Sequence, residues 1–448
     1  MQVDSLIHAR WVIPVEPAGQ VLAQHSVAIL QGRIQAIVPS AEARSLYQAK
    51  QVVELPNHVV LPGLVNAHTH SPMCLFRGLA DDLPLMPWLH DHIWPAEARW
   101  VNEPFVADGS RLAIAEMLRS GTTCFNDMYF FPDITAQVAM ELGIRCSIGL
   151  IFLNVPTAWA SDDAMYLAKA RDVHAAVRGQ SLVSTCLAPH APYTVSDQLL
   201  LSAMDDPHLP NRWHMHIHET ADEVQQSMVE YGMRPLQRLH QLDLMDDNLI
   251  AVHMTQLSEA DVELVAAAGC SVVHCPESNL KLASGACPVH QLHSAGVNVA
   301  LGTDGAASNN DLDMLGEMRT AALFGKQVAQ DASAVSAEQV LQMATINGAR
   351  ALGLDHDIGS LLPGKAADLL AVHLDDLACQ PVYNPLSLIV YSATRNQVSD
   401  VWVAGQRRVA NGELVGLDGA DLIARAQAWQ ARIATHSGET NVSVNKCR

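Results

Sequence analysis

The segment Leu61-Pro62-Gly63-Leu64-Val65-Asn66-Ala67-His68-Thr69-His70 decides how the chain is read. An apolar, strand-like run ends in a polar tip carrying two histidines. In an extended chain, positions i and i+2 point to the same side, so His68 and His70 can converge on one point. Imidazole is the commonest protein metal ligand near neutral pH. The pair predicts a metal site at a strand end, which the rest of the chain has to complete.

Working outward from that strand, apolar strand candidates recur at 59–65, 122–127, 144–151, 182–188, 212–218, 247–253, 271–275 and 298–302. Helical stretches lie between them, among them Phe105–Arg119, Asp163–Val177, Ala221–Tyr231 and Glu259–Ala268, and Thr345–Leu354 reads as the last helix of the series. Eight strands alternating with helices predict an α/β fold, a (β/α)8 TIM-like barrel over residues 58–355. A doubly wound sheet would carry a Gly-x-Gly-x-x-Gly turn after its first strand, and none follows. Residues 1–57 and 356–415 have another texture, with short β-type runs such as Ser26–Leu30, Arg33–Val38, 368–373, 399–403 and 406–410. They predict a small β-sandwich domain built from both chain ends. Residues 416–448 predict a C-terminal helix around Gly419–Ala434 and a loose tail from Ser437.

Composition narrows the function. The chain has 448 residues, of which 49% are hydrophobic and 17% charged, a globular balance with a large core. Twenty-seven basic residues against 47 acidic ones give a net charge of −20. That argues against nucleic acid or an anionic membrane as partner, since both recruit basic patches. The nine cysteines are scattered and form no Cys-x-x-Cys pair, so neither a disulfide framework nor a thiolate zinc site is indicated. The opening Met1-Gln2-Val3-Asp4-Ser5 leads into no signal-like apolar run, and no stretch approaches the ~20 apolar residues that span a bilayer. A soluble cytoplasmic protein is expected.

In such a barrel the chemistry lies at the C-terminal ends of the strands. There the first strand offers His68 and His70, the second Asn126 and Asp127, and the fourth His190. The fifth offers His214, His216, His218 and Glu219, the sixth His253, and the eighth Asp304 within Gly302-Thr303-Asp304-Gly305. Metal-competent side chains thus gather at one rim. Strand alternation lets all three histidines of the fifth strand share a face, and the pattern does not choose among them.

Several of these pieces together resemble the amidohydrolase superfamily over essentially the whole chain: Leu61–His70, His216-x-x-Glu219, His253, His274-Cys275-Pro276-Glu277-Ser278-Asn279, Thr303-Asp304-Gly305 and Gly359–Asp368. Ser71-Pro72-Met73, Phe76–Asp82 and Leu85–Leu89 are similar, more narrowly, to the 5-methylthioadenosine/S-adenosylhomocysteine deaminases. The resemblance implies His68, His70, His216 and Asp304 as metal ligands, with His218 as the fallback on the fifth strand. Three imidazoles and a carboxylate suit Zn²⁺, with iron as a substitute. Two-metal relatives bridge their ions with a fourth-strand lysine; here no lysine lies between Lys169 and Lys281, so one ion is expected.

The same resemblance implies hydrolytic deamination of the adenine ring of 5'-methylthioadenosine to the hypoxanthine form, with S-adenosylhomocysteine or adenosine as further substrates. Asp304 would take a proton from the attacking water, Glu219 would protonate the ring nitrogen, and His253 would stabilise the attacking oxygen. Trp88 and Glu97, on a lid over Leu83–Glu97, and His190 would join Glu219 and Asp304 in binding substrate. The apolar run Ile151–Pro156, where relatives often carry arginines, points to a small apolar tail. The competing readings are a guanine- or cytosine-type deaminase, a triazine chlorohydrolase, or a catalytically silent assembly protein. A homo-oligomer, dimer or tetramer, is implied.

Overall fold

The chain, described over residues 1–444 in a computed structural model, opens with β1 (Gln2–Val12), β2 (Leu22–Leu30), β3 (Arg33–Pro39) and β4 (Gln48–Pro62). β4 passes through Gly63 directly into β5 (Leu64–Thr69). That strand is the first of eight parallel ones, continuing with β6 (Thr122–Met128), β7 (Arg145–Phe152), β8 (Val183–Pro189) and β9 (Trp213–Ile217). β10 (Leu249–His253), β11 (Ser271–His274) and β12 (Asn298–Leu301) complete the set. They follow one another in spatial order. Every residue of β6 and β7 is buried, as befits parallel strands covered on both faces. The predicted helices Asp163–Val177, Ala221–Tyr231 and Glu259–Ala268 lie on the outside between strands. The fold is a (β/α)8 barrel.

Side chains close the seam between β12 and β5. The Asn66 amide donates to Thr303 Oγ1 at 2.7 Å and accepts from the Thr303 N–H at 3.0 Å. The Asp304 N–H donates to the His68 carbonyl at 3.0 Å. Gly302 permits this approach, because a Cβ there would stand 2.8 Å from the His68 nitrogen. The strands that will carry site residues are therefore sewn together beside the site itself.

β13 (Leu369–His373), β14 (Val398–Val403), β15 (Gln406–Ala410) and β16 (Glu413–Leu414) return to the opening strands. The two chain ends form one mixed sheet in the order β16-β15-β14-β13-β4-β1-β2-β3. Its core gathers Ile7, Val12, Val27, Ile29, Val60 and Trp402. The helix Gly419–Val444 runs past the Ser437 at which the sequence suggests a loose tail; the last four residues of that tail lie outside the described ones. Trp429 anchors this helix, packing edge-on against Phe105 and donating from Nε1 to Asp108 at 3.0 Å.

A buried ion pair ties sheet to barrel. Arg145, at the start of β7, donates from Nε to Asp368 Oδ2 at 2.9 Å, and the same carboxylate accepts the Ala404 N–H at 2.7 Å. Both side chains are almost fully enclosed. Breaking a buried pair leaves an uncompensated charge, so Asp368→Ala should destabilise the fold by about 3–5 kcal/mol in denaturant unfolding. The double variant Arg145→Met/Asp368→Leu should recover most of that loss. A loss below about 1 kcal/mol for Asp368→Ala, the size of a surface pair, would exclude this tie.

Candidate active site

Three imidazoles and a carboxylate converge at the C-terminal rim of the barrel. The donor atoms of His68, His70, His216 and Asp304 all lie within 4.8 Å of one another. Asp304 Oδ1 stands 3.3 Å from His68 Nε2 and 3.2 Å from His70 Nε2. The protein fixes which ring nitrogen faces inward. His70 Nδ1–H donates to the Met128 carbonyl at 2.6 Å, and His216 Nδ1–H to the His190 carbonyl at 2.7 Å. Both rings therefore turn Nε2 to the centre. Asp127 clamps the chain on either side of His70, accepting from Thr69 Oγ1 at 2.9 Å and from the Ser71 N–H at 2.6 Å.

Asp304 sits at φ +63°, a left-handed conformation that is uncommon for a non-glycine residue and costly to hold. Its Oδ2 accepts from Ser278 at 2.7 Å and Ser308 at 2.9 Å, and its Oδ1 from the Gly305 N–H at 2.8 Å. Burial alone would push its carboxyl up, but the hydrogen bonds and charges of His68 and His70 hold it well below the usual range. Burial likewise pushes His70 down, yet Asp304 outweighs it and raises that imidazole to about 9. Burial dominates at His68 and His216, whose pKa values fall.

The group has the chemistry of a cation site. His68 Nε2 and His216 Nε2 face each other at 3.2 Å. With its Nδ1–H given to a carbonyl, neutral His216 presents a lone pair at Nε2, and His68 would present a second one there with its own ring hydrogen on Nδ1. A divalent ion among them would be met by these nitrogens beside an anion, and three nitrogens with one carboxylate oxygen suit zinc.

Beside this group stand Glu219 and His253. Burial first, then the charges of Asp304 and Glu223, raise the Glu219 carboxyl well above the ordinary carboxylate range. His253 lies at the tip of β10 with φ +75°. Asn279 donates to its Nδ1 at 3.0 Å, which leaves the hydrogen on Nε2. That Nε2 is buried without a partner, 3.8 Å from Glu219 Oε2. An acid and an unspent donor thus face the same space.

That space is a cavity of about 710 Å³. Trp88, Glu97 and His190 line its walls, along with Glu219, His253 and Asp304. A helical segment over 85–100, with a π-helical turn at Leu89–Ile93, forms the side that sequence reading takes as a lid. Trp88 is fixed there by donating from Nε1 to the Ala80 carbonyl at 3.1 Å. Glu97 is pushed up to about 7 by burial, against the neighbouring Tyr129 hydroxyl and His70. His190 falls to about 3, chiefly through burial. No lining side chain among the described residues is a lysine or arginine.

His218, the fallback ligand, stands outside the group. Its φ of +54° turns it away after the end of β9, and its Nε2 accepts from the Leu236 N–H at 3.3 Å. Sequence reading also passed over Glu223. Thr220-x-x-Glu223 has the form of a capping box, in which the glutamate reaches back to the cap residue's own N–H. Here Glu223 reaches further, accepting the His218 N–H at 2.8 Å and the Glu219 N–H at 2.7 Å, and so holds the turn that carries Glu219. The pattern was visible, but its use by the neighbouring turn was not.

The purified protein is expected to carry about one zinc-like ion per chain. Alanine at His70, His216 or Asp304 should cut metal content to roughly a tenth or less, since loss of a direct ligand exceeds the 10–100-fold cost of losing a ligand's partner. Glu219→Gln should leave the content unchanged. Full occupancy in the Asp304 variant, by elemental analysis, would remove Asp304 from the ligand set.

The amidohydrolase family profile matches residues 59–408. The chain is 48% identical over 431 residues to a 5-methylthioadenosine/S-adenosylhomocysteine deaminase of Saccharophagus degradans, covering 96% of this chain and 97% of that one. It is 46% identical to the enzyme of the same name from Teredinibacter turnerae, covering 96% and 98%. Among solved structures, a zinc-bound adenosine deaminase from Xanthomonas campestris superposes with a TM-score of 0.95 at 52% identity, over 97% of this chain and 99% of that one. An atrazine chlorohydrolase from Arthrobacter aurescens shares the fold at a TM-score of 0.88 and 23% identity, over 95% and 99% of the two chains. The chain belongs to the amidohydrolase family.

Proposed function

We propose that the protein is a zinc-dependent hydrolytic deaminase of adenine nucleosides, with 5'-methylthioadenosine as its preferred substrate. The observation that carries this reading is the placement of the Glu219 acid and the His253 donor beside the four-ligand group, inside one cavity. The names of its relatives support the same reaction.

An ion held by His68, His70, His216 and Asp304 would supply the Lewis acidity that makes water nucleophilic near neutral pH. The remaining work falls to side chains. Glu219, kept protonated by burial, gives its proton to the ring nitrogen next to the amino-bearing carbon, which makes that carbon electrophilic. Asp304 accepts a proton from the attacking water. His253 donates from Nε2 to the developing oxygen, the role that its unpartnered hydrogen is free to take. Water adds at that carbon, Asp304 passes the proton it took to the amino group, the hydroxyl proton returns to Glu219, ammonia leaves, and the ring ends as the hypoxanthine form.

Glu97 is assigned to the ribose hydroxyls, and Trp88 and His190 to the walls around the nucleoside. A cavity without lysine or arginine, with Val155 and Pro156 on its wall, supports a neutral, small tail over the carboxylate of homocysteine. The eight buried, unpaired cysteines among the described residues support a reducing, cytoplasmic location. No described helix is long and apolar enough to cross a membrane. A homo-oligomer completes the proposal.

An ammonia-release screen over 5'-methylthioadenosine, adenosine, S-adenosylhomocysteine, free bases and triazines tests the assignment. The methylthio-nucleoside should lead it; a free base or a triazine turned over as fast would defeat the reading. Glu97→Ala should raise KM for nucleosides roughly 10–100-fold, the worth of one charge-assisted hydrogen bond, and leave a ribose-free substrate unaffected. Glu219→Gln should keep zinc and lose about 10²–10⁴ in rate, the range for a general acid. Retained activity would take Glu219 out of the mechanism.

A further inference from the structure

Each of the three ligand rings has a partner on Nδ1, and the partners are not alike. His70 and His216 use backbone carbonyls, from Met128 and His190. His68 uses another side chain: its Nδ1 lies 2.9 Å from His214 Nε2. Both residues are fully buried. His214 sits on β9 one strand repeat below His216, so the alternation that aims His216 into the barrel also aims His214 there.

The hydrogen on each ring follows from geometry. His68 Nε2 faces Asp304 Oδ1 and His216 Nε2 at the centre of the ligand group, so in the ligating form it is bare and the ring hydrogen is on Nδ1. That hydrogen is donated to His214 Nε2. His214 must then carry its own hydrogen on Nδ1, and this atom is buried with no partner. Burying a donor without an acceptor is costly, and native structures rarely do it without a reason. The ring is spending one nitrogen to serve His68.

We propose that His214 is a positioning residue for the metal site: it holds the ring orientation of His68 and, when His68 ligates through Nε2, accepts its Nδ1–H, as a neutral acceptor rather than a carbonyl or a carboxylate. It touches neither the ion nor the substrate. Ligating histidines usually hand their second N–H to a carboxylate, a carbonyl or a water. A neutral imidazole in that place pulls less on the hydrogen than a carboxylate would, so His68 would donate less electron density to an ion it held. The proposal rests on the ligand assignment made above.

Zinc affinity tests it directly, measured by competition with a chromophoric chelator on the metal-stripped, refilled protein. His214→Gln places an amide acceptor within reach and should bind zinc within about threefold of wild type. His214→Asn is as polar but too short to reach, and it should weaken zinc about 10–100-fold, the usual cost of losing a ligand's partner. The visible spectrum of the Co²⁺-loaded His214→Asn protein should shift as well, because the His68 ring is no longer held. Circular dichroism of both metal-free variants checks the fold; if the asparagine variant does not fold, His214→Leu takes its place. Wild-type zinc affinity in the variants without an acceptor, or equal affinity for the Asn and Gln proteins, overturns the proposal. Loss of zinc from His70→Ala together with wild-type affinity in His214→Asn would sink this inference and leave the ligand set standing.

Discussion

Four groups that each favour water are held within a few ångströms of one another inside an apolar barrel, and the rest of the structure answers that arrangement. Dehydrating a carboxylate is expensive, and dehydrating the crowded imidazoles beside it adds a smaller cost. The cost is offset locally. Two serines and a backbone N–H satisfy Asp304, two carbonyls and a histidine fix the rings, and Asp127 locks the chain around His70. The strained φ at Asp304 persists because so many contacts over-determine it.

The same low-dielectric setting sets the working state of the neighbouring acid. Burial first, and then the Asp304 charge, raises the Glu219 carboxyl well above the ordinary carboxylate range. Glu223, from below, gives the turn its shape and adds a second negative field. One carboxylate is therefore kept ionised and another kept neutral within one pocket. Environment alone separates the two roles.

Much of this was legible in the sequence because two periodicities were clean. Alternating apolar strands and helical stretches disclosed the barrel, and strand-end residues disclosed which side chains could meet. His68 and His70 could be paired from their spacing, whereas His216 could not be chosen over His214 or His218 by alternation. The choice depends on backbone events after Ile217, where a left-handed residue swings His218 aside, and on the depth at which each ring meets β5. The reach of Glu223 past its helix cap and the service of Asn279 to His253 were hidden for a related reason. Both are contacts set by tertiary geometry, which no local propensity encodes.

The seam between β12 and β5 has a consequence for how the protein comes into being. His68 and His70 leave the ribosome more than two hundred residues ahead of Asp304. Until the final barrel strand arrives and Asn66 meets Thr303, the early histidines face an incomplete ring with no anion to balance a cation. Tight capture of an ion by these four groups would therefore wait for the last strand. An ion bound there would bridge the two strands synthesised furthest apart, and loading with metal would then be coupled to closure of the ring.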